Sequence, residues 1–250
     1  MKFFSTTFVF LGAAFLPFSL SGQLQADEDN LEYVLERYVE SMGGRASLEN
    51  IKSVRLSGTI TYPSGLQHNI TVLKKKPDMV RVVLDTGLLR FIQAYNGKVA
   101  WFSRQAGKNV FHDRMRGQLA DNFIREAPLE NVLINPRETG VEISLGDDVE
   151  VARIPCYQVV ARFPDGSKVI HYIEKEAYLE RRIFEYNEKG ELVAELLPSN
   201  FETIQGVVFA LQIVRMKDGD IVSTLNLDEV EINVGILNTP FTPPVELPPN

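Results

Sequence analysis

Cysteine is nearly absent from this sequence, since Cys156 is the only one in 250 residues, and no intramolecular disulfide can form. Stability must therefore come from the burial of apolar side chains, which a composition that is 44% hydrophobic permits. Cys156 follows Pro155 at the start of an apolar strand. That position favours a buried, unreactive thiol over a reactive one.

Groups that carry chemistry are also sparse. The three histidines are His68, His112 and His171, and none lies at metal-ligand spacing to another histidine or to the cysteine. The sequence contains no nucleophile elbow, P-loop, dinucleotide fingerprint or zinc-protease motif. We therefore expect no catalytic residue, no metal and no cofactor, and interpret the chain as a protein that is not an enzyme. An enzyme on a lipocalin-like scaffold would need polar residues that converge in a groove, and we find no such cluster.

Basic residues are too few for nucleic-acid binding. The chain has 26 Lys and Arg against 33 Asp and Glu, a formal net charge of −7. Phosphate binding needs a basic surface, so we expect no nucleic-acid partner. The same balance disfavours broad adhesion to an anionic membrane.

The apolar run near the amino terminus extends from Phe3 to Leu20, follows Lys2 and is broken by Pro17. A single positive charge, a short apolar stretch and a small residue such as Ala26 predict a signal peptide over residues 1–26. A membrane anchor is the alternative, but this run is short for one. We expect the mature chain to be secreted into the periplasm.

One amphipathic helix opens the mature chain. Asp29 or Asn30 can cap it, and Gly43-Gly44 can end it in the left-handed conformation. Its apolar residues recur at steps of three and four, which places them in one stripe: Leu31, Val34, Leu35, Tyr38, Val39 and Met42.

From Ile51 onward the apolar period changes to two, which predicts a succession of strands separated by turn residues. The predicted strands are Val54–Tyr62, Ile70–Lys74, Val80–Leu84, Phe91–Tyr95, Val99–Phe102, Val141–Leu145, Tyr157–Phe163, Lys168–Glu174, Leu179–Tyr186, Glu191–Leu197, Val207–Val214 and Ile221–Ile232. Asn96-Gly97 predicts a two-residue hairpin with positive φ at both residues. One or two short helices are predicted between His112 and Asn135, where the alternation stops.

Tight turns between successive strands indicate an antiparallel meander, so the predicted fold class is mainly β (α+β), in one domain over residues 27–250. A single large antiparallel sheet must curl, and its apolar inner face needs cover. The amphipathic helix and the mid-chain helical insert are the available covers. We therefore predict an apolar groove with a helical lid. Its predicted ligand-binding residues are Leu31, Val34, Leu35, Tyr38, Phe91 and Trp101.

Two features allow more than one interpretation. The run Lys74 to Lys76 is typical of a solvated strand end that protects a sheet edge, or of a contact with an anionic headgroup or an acidic partner. Trp101 and Phe102 fit a core position, or the floor of a ligand site.

Three short motifs, in this order and with this spacing, carry a resemblance to a known family: Lys75 to Asp78, a Lys-Lys-Pro-Asp turn; Asn96 to Phe102, an Asn-Gly-Lys-x-x-Trp hairpin; and Phe241 to Pro244, a Phe-x-x-Pro closing segment. Together with the leading helix and the signal peptide, they make the sequence resemble the LolA-like periplasmic carriers that sort lipoproteins to the outer membrane.

The resemblance implies a single curled antiparallel sheet that forms an unclosed β-barrel with a helical lid, and it implies lipoprotein acyl chains or another lipid as the ligand. It also implies transfer partners at the inner and outer membranes. Lys76 stands where the family has an arginine associated with lid closure, so the resemblance assigns Lys76 to the lid or to a partner contact. We expect a monomer. The alternative function is an envelope lipid or lipoprotein sensor, a protein-binding module on the same scaffold.

Overall fold

The structure is a computed structural model that describes residues 30–135, 140–244 and 247. The predicted signal peptide, residues 1–26, lies outside the described residues.

Helix α1 spans Leu31–Ser41, as the apolar stripe predicts. The side chain of Asn30 caps it, since its Oδ1 accepts a hydrogen bond from the Glu32 amide at 2.9 Å. The backbone leaves the helix through Gly43 and Gly44, whose φ angles of 109° and 78° favour glycine. Helix α2 follows at Arg45–Glu49.

Fourteen antiparallel strands form one sheet in the described part of the chain. They are β1 Ser53–Thr61, β2 Gln67–Lys75, β3 Met79–Asp85, β4 Leu89–Asn96, β5 Ala100–Ala106, β6 Asn109–Arg114, β7 Glu142–Leu145, β8 Val149–Val151, β9 Ile154–Arg162, β10 Lys168–Glu174, β11 Glu180–Tyr186, β12 Leu192–Ile204, β13 Val207–Lys217 and β14 Asp220–Ile232.

The strand order in the sheet is β6-β5-β4-β3-β2-β1-β14-β13-β12-β11-β10-β9-β7, and β8 pairs with β9 outside this path. The sheet is not closed, since β6 and β7 each have one neighbour in this order. The predicted fold class, mainly β with an open antiparallel sheet, is therefore confirmed.

The twelve predicted strands leave out two of these fourteen, because the alternation of apolar residues does not mark β6 and β8. Strand β6 is an edge strand whose first three residues are all exposed, and β8 has only three residues. The segment predicted as helical begins later than expected, with the single α-helix α3 at Gly117–Arg125.

The hairpin at Asn96-Gly97 forms, but its turn is not the predicted one. Tyr95 is paired with Ala100, which leaves four residues in the connection, and only Gly97 has a positive φ. The Asn96 side chain accepts hydrogen bonds from the amides of Lys98 and Val99, at 3.0 and 2.8 Å. This side-chain turn replaces the backbone turn that two left-handed residues would make.

Contacts within the chain group the described residues into two compact units. Unit 1 contains Asn50–Leu129 and the described residues from Leu225 onward, and unit 2 contains residues 30–49 and the described residues from Glu130 to Thr224. The two units interleave along the chain. The prediction of one domain over residues 27–250 stays a prediction.

Unit 1 consists mainly of strands β1 to β6. The carboxyl-terminal segment of the chain returns to it with a short 3-10 helix at Thr239–Phe241, and the Phe241 side chain is fully buried. Helix α3 packs against β5. Its Ala120 and Phe123 are buried.

Unit 2 contains α1, α2 and strands β7 to β13. The buried residues of α1 are Val34, Tyr38 and Val39, and Met42 at its C-cap is also buried. Together they form the inner part of the predicted stripe. Ser41 Oγ donates to the Tyr178 carbonyl at 3.0 Å, and this bond holds the end of the helix beside the connection between β10 and β11.

Gly58 on β1 lies where two backbones of unit 1 pack closely, and a substitution at this position tests that packing. A Cβ atom at this position would lie 2.0 Å from the Asn226 carbonyl oxygen. We expect Gly58→Ala to lower the free energy of unfolding by about 1 to 3 kcal/mol or more, since backbone must move to admit the methyl group. Urea unfolding measures this. Gly235→Ala is the control, because no heavy atom lies within 4 Å of its Cβ position. Equal stability of the two variants would contradict the close packing.

Candidate functional site

The cross-strand register of unit 1 defines an apolar strip on one face of the sheet. Leu84, Phe91, Arg104 and Phe111 lie opposite one another in a single row across β3, β4, β5 and β6. In the next row on the same face, Val82 and Phe102 both lie opposite Gln93. We call the four half-buried apolar residues of these rows the Phe91 face: Val82, Leu84, Phe91 and Phe102.

Residue type explains why these strands form. Strands β3 and β4 contain runs of Val, Leu, Ile and Phe, which suit a pleated and partly buried surface. The face becomes more open toward β6, where the Phe111 side chain is exposed. The ring of Phe102 lies 5.9 Å from that of Phe111, centre to centre, so the apolar strip continues to the edge strand.

Trp101 points away from the Phe91 face. It is paired with Ala94, three residues after Phe91 on the same strand, and side chains alternate between the two faces of a sheet. One groove on one side of this sheet cannot contain both Phe91 and Trp101. Phe91 and Trp101 therefore lie on opposite faces of this sheet, and the role of each in ligand binding stays a prediction.

The carboxyl-terminal segment covers the face of unit 1 to which Trp101 belongs. Trp101 Nε1 donates to the Phe241 carbonyl at 2.8 Å, and Arg81 Nη1 donates to the Pro240 carbonyl at 2.6 Å. Leu247 is buried against Ala94 and Trp101. Of the two interpretations of Trp101, the structure supports the core residue. The Phe-x-x-Pro segment is the cover.

Lys74 is buried, not solvated as one interpretation of the lysine run required. It lies on the same face as Phe91, between Val54 and Val80, and its strand β2 lies between β1 and β3 and so is not an edge. Its Nζ donates to the Pro128 carbonyl at 3.0 Å. Burial lowers the pKa of Lys74 to about 8, although Glu126 acts in the opposite direction. The ammonium thus holds the chain after α3 on this face.

The other two lysines of the run have different environments. Lys75 Nζ donates to the Ile236 carbonyl and to the Asn238 side chain, both at 2.6 Å. The Lys76 amide donates to the Lys52 carbonyl at 2.9 Å, and the peptide bond to Pro77 is cis. The assignment of Lys76 to a lid or partner contact stays a prediction.

The predicted ligand residues of α1 belong to unit 2. Val34 and Tyr38 have no solvent exposure, and Leu31 and Leu35 are half-buried. Leu31 and Leu35 are thus the two that a ligand could contact without displacing the helix. Their role in ligand binding stays a prediction.

A polar cluster lies beneath α1 in unit 2. The Tyr38 hydroxyl accepts a hydrogen bond from Asn131 Nδ2 at 3.2 Å, and burial, followed by the nearby Glu180 carboxylate, raises the pKa of Tyr38 well above its usual value. Glu180 Oε1 lies 2.5 Å from His171 Nδ1, and both side chains are buried. Among the described residues, His171 Nε2 has no hydrogen-bond partner.

Sequence reasoning missed Lys74 and His171 as interior residues, although a signal was present. Lys74 continues the alternation of Ile70 and Val72, and His171 lies between Val169 and Ile173 in the same phase. A polar residue in the apolar phase of a strand points to the interior, where it needs a partner.

Metal sites and membrane-spanning helices are not found in the part of the chain that the structure describes. No group of three or more His, Cys, Asp or Glu side chains there is arranged to hold a metal ion. Cys156 is buried, and burial raises the pKa of its thiol. No helix in residues 30–135 and 140–244 is long and apolar enough to cross a membrane.

Solved structures with a similar fold define the class of fold. A DUF1329 family protein from Desulfovibrio piger matches with a TM-score of 0.61 and 15% identity, over 86% of this chain and 98% of that one. A LolA superfamily protein from Nitrosomonas europaea matches with a TM-score of 0.59 and 16% identity, over 85% of this chain and 97% of that one.

The third similar structure is described as an outer membrane lipoprotein-sorting protein domain from Vibrio parahaemolyticus. It matches with a TM-score of 0.58 and 13% identity, over 85% of this chain and 97% of that one. No family model matches the sequence, and no curated protein matches it. The resemblance to LolA-like proteins is therefore confirmed as a likeness of fold.

The buried ammonium of Lys74 gives a prediction about pH. The unfolded chain keeps this proton up to a pKa near 10.5, whereas the folded chain loses it near 8. Between these values the unfolded state binds more protons, so the contribution of Lys74 to the free energy of unfolding rises with pH, by about 3 kcal/mol in total. We expect urea unfolding to show wild type gaining this amount relative to Lys74→Met across that window. Lys189→Met changes a lysine on an exposed turn, and its free energy of unfolding should depend on pH as that of wild type does. The same pH dependence for Lys74→Met and wild type would contradict the shift.

The contact between Trp101 and Phe241 gives a second prediction. Phe241→Ala removes a fully buried ring, so we expect the free energy of unfolding to fall by about 3 to 5 kcal/mol. The emission of Trp101, the only tryptophan in the sequence, should shift to the red as its cover loosens. Leu237→Ala is the control, because that side chain is 72% exposed. An unshifted emission spectrum would show that the segment does not cover Trp101 in solution.

Proposed function

We propose that this chain is an exported periplasmic protein that binds a hydrophobic ligand, the acyl chains of lipoproteins, carries it towards the outer membrane and catalyses no reaction. The observation that carries the proposal is the fold. It matches, over 85% of the chain, a structure described as an outer membrane lipoprotein-sorting protein domain. The amino-terminal signal pattern supports export, because a signal peptide directs a chain out of the cytoplasm.

The Phe91 face supplies a surface of the chemistry that acyl chains need. Its four side chains are aliphatic or aromatic and only half-buried, so they keep apolar area that a ligand can cover. Each methylene group that leaves water for such a surface contributes about 0.8 kcal/mol. Ten methylene groups would contribute roughly 8 kcal/mol before the costs of association are subtracted.

A carrier must also release what it binds. Binding through apolar contact alone has no directional bonds to break, so a stronger acceptor can take the ligand without an external energy source. The proposal therefore includes donor and acceptor partners at the two membranes. It also takes the chain to act as a monomer.

The proposal that the chain catalyses no reaction is supported by the burial of His171 and Glu180. His171 and Glu180 are the described pair that most resembles a catalytic pair, but both side chains are buried beneath α1. A substrate could not reach their atoms without displacing the helix. Buried polar pairs of this kind also occur as structural groups.

Phe91→Asp tests the proposal, with lipid released from protein purified out of the periplasm and identified by mass spectrometry. A carboxylate in the middle of the Phe91 face must be desolvated by any acyl chain that covers it, which costs several kcal/mol. We expect wild type to carry acyl lipid and the variant to carry at least tenfold less. A tenfold loss corresponds to a weakening of the binding free energy by about 1.4 kcal/mol. Leu35→Asp tests the half-exposed side of α1 in the same way.

Val193→Asp is the matched control, since it places the same charge on an exposed strand position of unit 2. The emission of Trp101 shows that unit 1 of each variant is folded, because this residue lies on the opposite face from Phe91. Wild type without lipid, or a folded Phe91→Asp variant with the lipid content of wild type, would rule out the Phe91 face as the binding surface.

A further inference from the structure

Three hairpin connections of unit 1 lie together at one end of its sheet. They are residues 62–66 between β1 and β2, residues 86–88 between β3 and β4, and residues 107–108 between β5 and β6. The register places them at the same end, because one cross-strand row runs through Asn69, Asp85, Arg90, Gln105 and Val110, close to all three connections.

This end, which we call the hairpin end, exposes large apolar side chains. Leu66 is 54% exposed, Leu88 86%, Val110 49% and Phe111 50%. Single exposed apolar residues are normal on a protein surface, but here four of them lie at one end of a sheet. Adjacent strands lie about 4.8 Å apart, so the six strands spread these side chains over roughly 24 Å.

The charge of the hairpin end is opposite to that of the whole chain. Residues 62–69, 85–91 and 104–111 contain the basic residues Arg90, Arg104 and Lys108, all exposed, and the single acidic residue Asp85. Asp85 Oδ1 accepts a hydrogen bond from the Gly87 amide at 2.8 Å, which fixes it within its own turn. The full sequence carries a net charge of −7.

The hairpin connections of unit 2 show that this composition is not a general property of the turns. Three of them contain more acidic than basic residues, with Asp165 between β9 and β10, Glu188 between β11 and β12, and Asp218 between β13 and β14. The excess of basic over acidic residues at the hairpin end is thus not shared by these three connections.

We propose that the hairpin end docks on the surface of a lipid bilayer that contains anionic phospholipid. Leu66, Leu88 and Phe111 enter the boundary between headgroups and acyl chains, and Arg90, Arg104 and Lys108 contact the headgroup phosphates. Apolar side chains flanked by basic ones are the combination that a charged membrane interface attracts. A patch with three basic residues gives local, reversible docking, which an acidic chain can show without broad adhesion.

The position of the Phe91 face adds a reason for docking here. Phe91 shares its cross-strand row with Arg104 and Phe111, which belong to the hairpin end. An acyl chain that leaves a docked bilayer can therefore reach the Phe91 face along apolar side chains. Docking itself needs no bound ligand, so this proposal does not depend on the proposed function.

Vesicle sedimentation of the full mature chain tests the proposal, with vesicles of phosphatidylcholine alone and of an equal mixture with phosphatidylglycerol. We expect binding to the mixed vesicles only, and weaker binding as salt is added. Each basic residue near an anionic surface strengthens binding about fivefold. Arg104→Gln with Lys108→Gln should therefore weaken binding about 25-fold. Leu88→Asp should weaken it at least tenfold, because a carboxylate cannot enter the interface without a large cost.

Two variants away from the hairpin end serve as controls. Leu237→Asp changes a residue that is 72% exposed and lies between Ile236 and Asn238, which Lys75 contacts at the other end of β2. Lys189→Gln removes a charge from the connection between β11 and β12. Both should bind as wild type does. No binding to mixed vesicles, equal binding to both kinds of vesicle, or unchanged binding of the hairpin-end variants would overturn the proposal. The lipid carried by Leu88→Asp is measured separately. A variant that carries lipid as wild type does but fails to bind vesicles has lost docking and not the proposed function.

Discussion

The alternation of side chains between the two faces of a sheet is the constraint on which unit 1 depends. Phe91 and Ala94 are three residues apart on β4, so they point in opposite directions, and the paired register passes this difference on to Arg104 and Trp101. One face can then be closed by the chain's own carboxyl-terminal segment while the other keeps apolar area partly open to solvent. A shift of one residue in the pairing would exchange the two faces.

Irregular segments of unit 1 are held by donors that the strands supply. The indole of Trp101, the guanidinium of Arg81 and the ammonium of Lys74 each donate to a backbone carbonyl of a segment that has no partner strand at that point. Carbonyl groups outside regular structure must find donors when they are buried. The sheet thus anchors both the chain after α3 and the closing segment with side chains that also belong to its faces.

The fold class was predictable because period-two alternation and turn residues are local signals, and most of the strands follow them. Strand β6 was not, since Val110 and Phe111 are both exposed on an edge strand and leave no alternation to detect. The predicted site was only partly accessible to sequence reasoning. Leu31 and Leu35 can be placed on a stripe, but the face on which Trp101 lies depends on the exact pairing of β4 with β5. Lys74 was misread because a run of three lysines suggests solvent, although its strand phase indicates the interior.

The surface of unit 2 on which helix α1 packs has an energetic consequence. Tyr38 rests beside Glu180 and His171, so part of the surface under the helix consists of polar atoms that have given up hydration to be buried. If the helix lifts, those atoms recover water, and the return of their solvation offsets part of the apolar contact that is lost. A contact surface of the same area made of leucine alone would stabilise the packed helix by more free energy. The buried polar groups beneath α1 thus lower the work needed to detach the helix.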